Sequence, residues 1–271
     1  MTTAFDLDSY LDRIGWRASR AVDLPTLTGL VRAHMAAIPF ENFDVLLGRG
    51  VSLDLASLQC KIVERRRGGY CFEHATLFAA ALDTLGFAPL RHVARVVMLQ
   101  SRDAAARTHM FVTVALDSGV FVVDPGFGAQ APRIPVPLVD GAKVRADGVA
   151  HWMQRVDDRW LLRTTKDDAV VDCWMSALAD EEPIDFAMGN HYTATHPASP
   201  FVNGLLLRAI TPRGQVTVMN REATIDDGGT LRRVQLADRA ALRRLVAEHF
   251  GFDLPEIERL RVPAVPEWAS A

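Results

Sequence analysis

Cys71, His109 and Asp124 follow one another along the chain. A thiol, an imidazole and a carboxylate are the parts of an acyl-transfer site, in which a base activates a nucleophile and an acid orients the base. The local sequence says how each would be held. Arg67-Gly68-Gly69-Tyr70-Cys71 is a tight glycine loop running into a helical pattern, so Cys71 is expected at a helix N-terminus, where free N–H groups favour a thiolate. His109 opens the apolar run to Leu116, and Asp124 closes the run that starts at Val120, with the turn residues Asp117-Ser118-Gly119 between them. A hairpin with both residues at its open end follows. Pairing Leu116 with Val120 sets Val112, not His109, opposite Asp124, so a bulge or an irregular strand end is needed to join the pair.

The elements that must position these residues belong to a chain of 271 residues and 49% hydrophobic content, enough for two small domains or one large one with a substantial core. The net charge of −3 and pI near 6.2 give no bulk attraction for nucleic acid or an anionic membrane. The start, Met1-Thr2-Thr3-Ala4-Phe5-Asp6, lacks the charged and apolar regions of a signal peptide, and no apolar run approaches the ~20 residues of a membrane span; the cytoplasm is expected. Cys60, Cys71 and Cys173 form no C-x-x-C, so neither a disulfide framework nor a thiolate zinc cage is expected, and Cys60 and Cys173 read as small buried hydrophobes. His74 stands one turn from Cys71, but two spaced ligands are too few for a metal site. His34, His92, His151 and His249 have no spacing partner and read as ordinary polar or half-buried histidines.

Residues 1–88 read as helices: Leu7, Tyr10, Leu11 and Ile14 at helical spacing, then Leu27, Leu30 and Val31 ending before Pro39, then Leu55, Leu58 and Ile62, then Cys71 through Leu82 to a C-terminal glycine at Gly86. From Pro89 the pattern turns to β-branched runs, Val93 to Leu99, His109 to Leu116, Val120 to Val123, Trp160 to Thr164 and Val170 to Trp174, which suggests an antiparallel barrel or curled sheet. Residues 181–200, rich in Pro, Asn, Thr and Ser and containing His191 and His196, read as a long crossing loop. Leu205 to Ile210 and Gln215 to Met219 flank Thr211-Pro212-Arg213-Gly214 as a hairpin, and a helix is expected from Asp238 to Phe250.

Four blocks resemble the arylamine N-acetyltransferases over nearly the full length: Ile38-Pro39-Phe40-Glu41-Asn42-Phe43; Arg66-Arg67-Gly68-Gly69-Tyr70-Cys71-Phe72-Glu73; Thr108-His109-Met110 with Val123-Asp124-Pro125-Gly126-Phe127-Gly128; and Thr195-His196-Pro197-Ala198-Ser199-Pro200-Phe201. The resemblance implies an α+β protein with a cysteine-protease or transglutaminase-like core. Its parts would be a helical domain at 1–88 carrying the nucleophile, a central antiparallel β-barrel at 89–196 carrying the histidine and aspartate, and a C-terminal α/β lid at 197–271. It implies acetyl-coenzyme A as donor, with no tightly bound cofactor, and an aromatic amine or hydrazine as acceptor. Cys71 matches the family nucleophile, His109 its base and Asp124 its orienting acid. Phe40, Phe127 and Phe201 match acceptor-pocket aromatics, with Val96, Thr108, Gly126 and Gly128 beside them. Arg67 matches an arginine that holds the glutamate at Glu41 in a bidentate contact, which favours a structural role over a phosphate site at Arg65-Arg66-Arg67. Ala75, where an asparagine is common, and Pro125, where valine or isoleucine is frequent, depart from the family pattern and bear on acceptor preference.

Read from residue types alone, the three phenylalanines are equally ordinary core, and Gly126 and Gly128 serve either a turn or the close approach of an acyl arm. The same Cys, His, Asp order serves cysteine hydrolases, and a ligand-binding protein with a vestigial triad is a third class. No oligomeric state follows from the sequence.

Overall fold

Side-chain caps set the first helices. In the computed structural model, which describes residues 5–98, 100–166 and 169–268, α1 (Leu7–Arg13) follows Asp6, whose carboxylate accepts from the Ser9 N–H at 3.1 Å. Met1 to Ala4, at the expected leaderless start, and Leu99, expected as a strand end, lie outside the described residues. α2 (Leu24–Ala37) follows Asp23, which accepts from the Thr26 N–H at 2.8 Å, and stops ahead of Pro39. Two short helices, α3 (Phe43–Leu46) and α4 (Leu55–Leu58), precede a π-helical segment, Gln59–Glu64. α5 (Cys71–Thr84) begins at Cys71 itself, and Gly86 stands just past its end at φ 90°, as the sequence predicts. Leu27, Leu30 and Val31 of α2 meet Leu77, Phe78 and Leu82 of α5 in a buried cluster that also takes Val112, Val114 and Val123 from the adjoining sheet.

That sheet has eight strands: β1 (Leu90–Val96), β2 (Arg107–Leu116), β3 (Gly119–Val123), β4 (Val136–Pro137), β5 (Val144–Ala146), β6 (Val149–Val156), β7 (Arg159–Lys166) and β8 (Ala169–Ser176). They pair antiparallel in the order β4-β3-β2-β1-β8-β7-β6-β5. Asp140, beyond β4, bridges to Met153 of β6 and accepts from the Gln154 side chain and the Arg155 N–H at 2.7 Å each, which curls the sheet into a nearly closed barrel. Alternation along β2 sends Val112 and Val114 to the helices and Phe111 to the interior, with Ala94, Met153, Leu162 and Trp174.

Residues 181–200 are not a loop. α6 (Pro183–Thr195) and α7 (Pro200–Asn203) occupy most of the stretch, so His191 lies on a helix and His196 caps its end. Tertiary contacts override weak helix propensity here. Phe186 is buried against Cys71, Phe72 and Val93, and Asn190 donates to the Val51 carbonyl at 2.9 Å and accepts from the Tyr70 hydroxyl. Gly189 is required because a Cβ there would meet the Arg107 carbonyl at 2.8 Å.

The C-terminal part is a second antiparallel sheet, β9 (Leu206–Ile210), β10 (Gln215–Met219), β11 (Glu222–Asp226) and β12 (Leu231–Gln235), in the order β12-β11-β10-β9, with α8 (Arg239–His249) packed on it through Leu242 and Val246. The expected hairpin is β9-β10, Ile210 facing Gln215, and Asp238 caps α8 at the Ala241 N–H. β12 escapes a sequence reading because all five of its residues are exposed.

An extended segment at Pro39 to Glu41 joins this sheet to the Cys71 loop. Phe40 exchanges both backbone hydrogen bonds with Arg208 of β9, at 2.8 and 2.9 Å, while Glu41 N–H donates to the Gly69 carbonyl and Gly69 N–H to the Pro39 carbonyl. Glu41 is 1% exposed, and its Oε1 accepts both Nε and Nη2 of Arg67, at 2.9 and 2.6 Å. The contact is not the expected two-oxygen fork, because Oε2 serves the Phe43 N–H at 2.8 Å. Asp44 also touches Arg67, and Lys61 spans Asp44 and Glu73 at 2.7 Å each. Arg67→Gln strands the Glu41 charge and is expected to cost about 3–5 kcal/mol; thermal melts and soluble yield measure it. Unchanged stability with a raised Michaelis constant for coenzyme A would instead make Arg67 a phosphate ligand.

Candidate active site

The three chemistry-bearing residues arrive from a helix, a strand and the segment after a strand. Cys71 heads α5 and is buried, and Tyr70 N–H ahead of it is held by Glu73 Oε2 at 3.0 Å. Its Sγ lies 3.7 Å from the Thr108 carbonyl oxygen. β2 and β3 form the predicted hairpin, but the register is one residue tighter than expected. Leu116 faces Gly119, at φ 128°, and Val112 faces Val123. Continued one step, this register sets Phe111 opposite Asp124, so His109 and Asp124 share the interior face as diagonal neighbours and no bulge between β2 and β3 is needed. The register shift lies instead between β1 and β2, at Ala94 and Arg95.

His109 Nε2 donates to Asp124 Oδ2 at 2.8 Å, with 2% and 0% of the two side chains exposed. Nδ1 is then the nitrogen left for Cys71, which interacts with the ring. Burial by itself would push His109 down, but the Asp124 charge and hydrogen bond, together with Cys71, outweigh it and hold the imidazolium up to about 10. A histidine raised above its ordinary 6.5 stabilises the fold fully below that value, and the contribution is lost as pH rises through about 10.

Trp174 is the functional neighbour that pattern reasoning missed. Its Nε1–H donates to the same Asp124 Oδ2 at 2.8 Å, and its ring stacks on Phe111 at 4.2 Å. The signal was present, since a buried indole N–H requires an acceptor and Trp174 sits in an interior-facing strand position. Asp124 Oδ1 is buried without a hydrogen-bond partner among the described residues.

The residues expected to line a pocket are placed as follows. Phe127 meets the His109 ring edge-on at 4.8 Å, and Phe40 lies 6.2 Å from Phe201, which packs on Tyr70. Val96 ends β1 opposite Trp174. The glycines have structural reasons: a Cβ on Gly126 would come within 2.8 Å of Cys71 Cα, and Gly128 turns at φ 57°.

Two expectations about histidine need correction. His34, His92 and His151 are buried and hydrogen-bonded, not half-buried and solitary. Tyr10 Oη, His34 and His74 form a chain with contacts of 2.7 and 2.8 Å, ending at the Pro39 carbonyl at 3.3 Å. That carbonyl can only accept, so His74 Nε2 carries a proton, His34 Nε2 donates to His74 Nδ1, and Tyr10 donates to His34 Nδ1. Burial keeps both rings neutral, pushing His74 down to about 4 and His34 well below its ordinary value.

Asp124→Asn removes the charge that holds His109 cationic, so the pH profile for iodoacetamide alkylation of Cys71 is expected to move to higher pH while the fold survives. Trp174→Phe keeps the ring packing but deletes a donor to the carboxylate, and is expected to move the profile the same way by less. Coincident profiles for the wild type and Asp124→Asn would sever Asp124 from the nucleophile.

The sequence pattern of an N-acetyltransferase family matches residues 23–259. Arylamine N-acetyltransferase of Mycobacterium tuberculosis is 36% identical over 262 residues, covering 94% of this chain and 92% of the relative. The Escherichia coli enzyme of the same name is 34% identical over 92% of this chain and 90% of its own. Among solved structures, Mycobacterium marinum arylamine N-acetyltransferase in complex with CoA superposes with a TM-score of 0.87 at 32% identity, covering 93% of this chain and 94% of that one. Matches of this depth across nearly the whole of both chains make this protein a member of the arylamine N-acetyltransferase family, and so an acetyltransferase.

Proposed function

We propose that this enzyme moves an acetyl group from acetyl-coenzyme A to the nitrogen of an arylamine, arylhydrazine or hydrazide by a ping-pong route through acetyl-Cys71. The single observation that carries the mechanism is the buried hydrogen bond from His109 Nε2 to Asp124, which leaves Nδ1 for Cys71. The M. marinum relative's complex with CoA supports the donor.

Cys71 sulfur attacks the thioester carbonyl, the carbon–sulfur bond to coenzyme A breaks, and the departing thiolate takes the proton from the His109 imidazolium. The acceptor nitrogen then attacks acetyl-Cys71, neutral His109 takes its proton, the carbon–sulfur bond to Cys71 breaks, and thiolate and imidazolium are restored. Asp124 keeps the tautomer and balances the charge each time the ring is cationic. The Cys71 backbone N–H at the start of α5 is the proposed oxyanion donor. Phe40, Phe127 and Phe201 offer ring faces to a flat acceptor, and Val96, Thr108, Gly126 and Gly128 line the approach. In this reading residues 1–88 supply the nucleophile, 89–196 the base and acid, and 197–271 cover the site. Three free cysteines suit a reducing compartment, the cytoplasm.

Intact mass after mixing with acetyl-coenzyme A alone is expected to rise by one acetyl group, and the gain to vanish in Cys71→Ala. Cys71→Ser is expected to lower turnover at least about a thousandfold while the fold persists. Activity within tenfold of wild type in uncontaminated Cys71→Ser protein would remove Cys71 from the mechanism, and hydrolysis of a peptide amide without acetyl transfer would replace the reaction class.

A further inference from the structure

Away from the triad, a cavity of about 520 Å³ opens between residues 50–53, α5, the start of β1 and α6. It lies on a different face of α5 from the nucleophile. Thr76, which lines it, is five residues past Cys71, so about 7.5 Å along the helix axis and roughly 140° around it. Val51, Leu53, Phe186, Ala187 and Ala194 give the cavity apolar walls, and no acidic residue lines it. A concave apolar space of this size with a few polar groups has the make-up of a small-molecule site.

Two hydrogen-bond donors in the lining are under-used. Arg91, half-buried, lies over the Phe186 ring at 4.9 Å and has no ion pair or side-chain hydrogen bond among the described residues. Thr76 is 7% exposed, and its hydroxyl meets the thioether sulfur of Met110 at 3.8 Å, a weak acceptor. Donors taken out of water without a good acceptor are costly, so both side chains favour an oxygen ligand. Asn190, which also lines the cavity, is already engaged with Tyr70 and the Val51 carbonyl.

We infer that this cavity is a second binding site, separate from the catalytic one, and that it takes an organic monocarboxylate with a flat apolar body. The guanidinium fork of Arg91 matches the two carboxylate oxygens, and the Thr76 hydroxyl donates to one of them. The apolar body lies against Val51, Leu53 and Phe186. A phosphate dianion needs more donors than one arginine and one hydroxyl supply, and a cationic ligand would face Arg91 with no carboxylate to offset the two charges.

The probes are 1-naphthoate and its neutral counterpart 1-naphthamide, titrated calorimetrically into the intact protein. Naphthoate is expected to saturate one site at least about tenfold more tightly than naphthamide, the worth of one charge-assisted contact, and to bind equally well with coenzyme A at saturation. Arg91→Met keeps an unbranched chain against Phe186 and is expected to weaken naphthoate about tenfold or more while leaving naphthamide unchanged. Ala187→Phe, at an exposed position of α6, fills the cavity and is expected to weaken both probes. Thermal melts confirm that the variants are folded, and the exposed Ala187 site keeps the test decisive if Arg91→Met does not fold. The inference is overturned by any of four results: no saturable naphthoate binding to wild type, equal affinity for the two probes, affinity unchanged in the folded variants, or displacement of naphthoate by coenzyme A.

Discussion

The structure turns on one extended segment, Pro39 to Glu41, bonded along both edges. Arg208 of β9 holds one edge through Phe40, and Gly69 holds the other through Pro39 and Glu41. A loop ending in a buried cysteine needs its backbone groups satisfied, since an unpaired buried amide costs as much as a lost hydrogen bond. Here the partner strand does this, and the Glu41 carboxylate then recruits Arg67 from the same loop. Gly68 is the only residue type that fits, because a Cβ would lie 2.0 Å from the Pro39 carbonyl oxygen. The start of α5, and with it Cys71, is thereby tied to the C-terminal sheet.

Burial gives the His109–Asp124 pair its character. In water such a pair is weak; with 2% and 0% of the side chains exposed, the Asp124 charge and hydrogen bond, together with Cys71, outweigh burial and hold the ring charged, while Trp174 donates to the same carboxylate oxygen. The interior of the barrel therefore works as a rigid socket around an ion pair. On the other side of Cys71, the neutral Tyr10–His34–His74 chain secures the Pro39 carbonyl without adding charge near the thiol. The two histidine environments diverge because one ring faces a carboxylate and the other a carbonyl.

Local pattern was enough to recover much of this. The first two helices were legible from the spacing of their apolar residues and the last from Asp238 onward, while the caps at Asp6 and Asp23 were found in the structure. The Cys71 helix start and the β2-β3 hairpin were legible locally as well. Residues 181–200 were not: their composition is that of a loop, and only the packing of Phe186 and the bonds of Asn190 make them a helix. β12, wholly exposed, has its two apolar residues, Leu231 and Val234, three apart and so shows no strand alternation.

For the site, the sequence by itself determined which side chains are equipped for the proposed chemistry, since a thiol, an imidazole and a carboxylate are properties of residue type and their surrounding motifs are contiguous. Tertiary structure decided which face each occupies. A shift of one residue in the β2-β3 register moves every side chain to the opposite side of the sheet, and the choice between a two-residue and a three-residue turn depends on the fit of Phe111 and Val112 to different cores. It also decided the partner that comes from a distant strand, Trp174 for Asp124, because a contact across 50 residues leaves no periodic mark in a chain read locally.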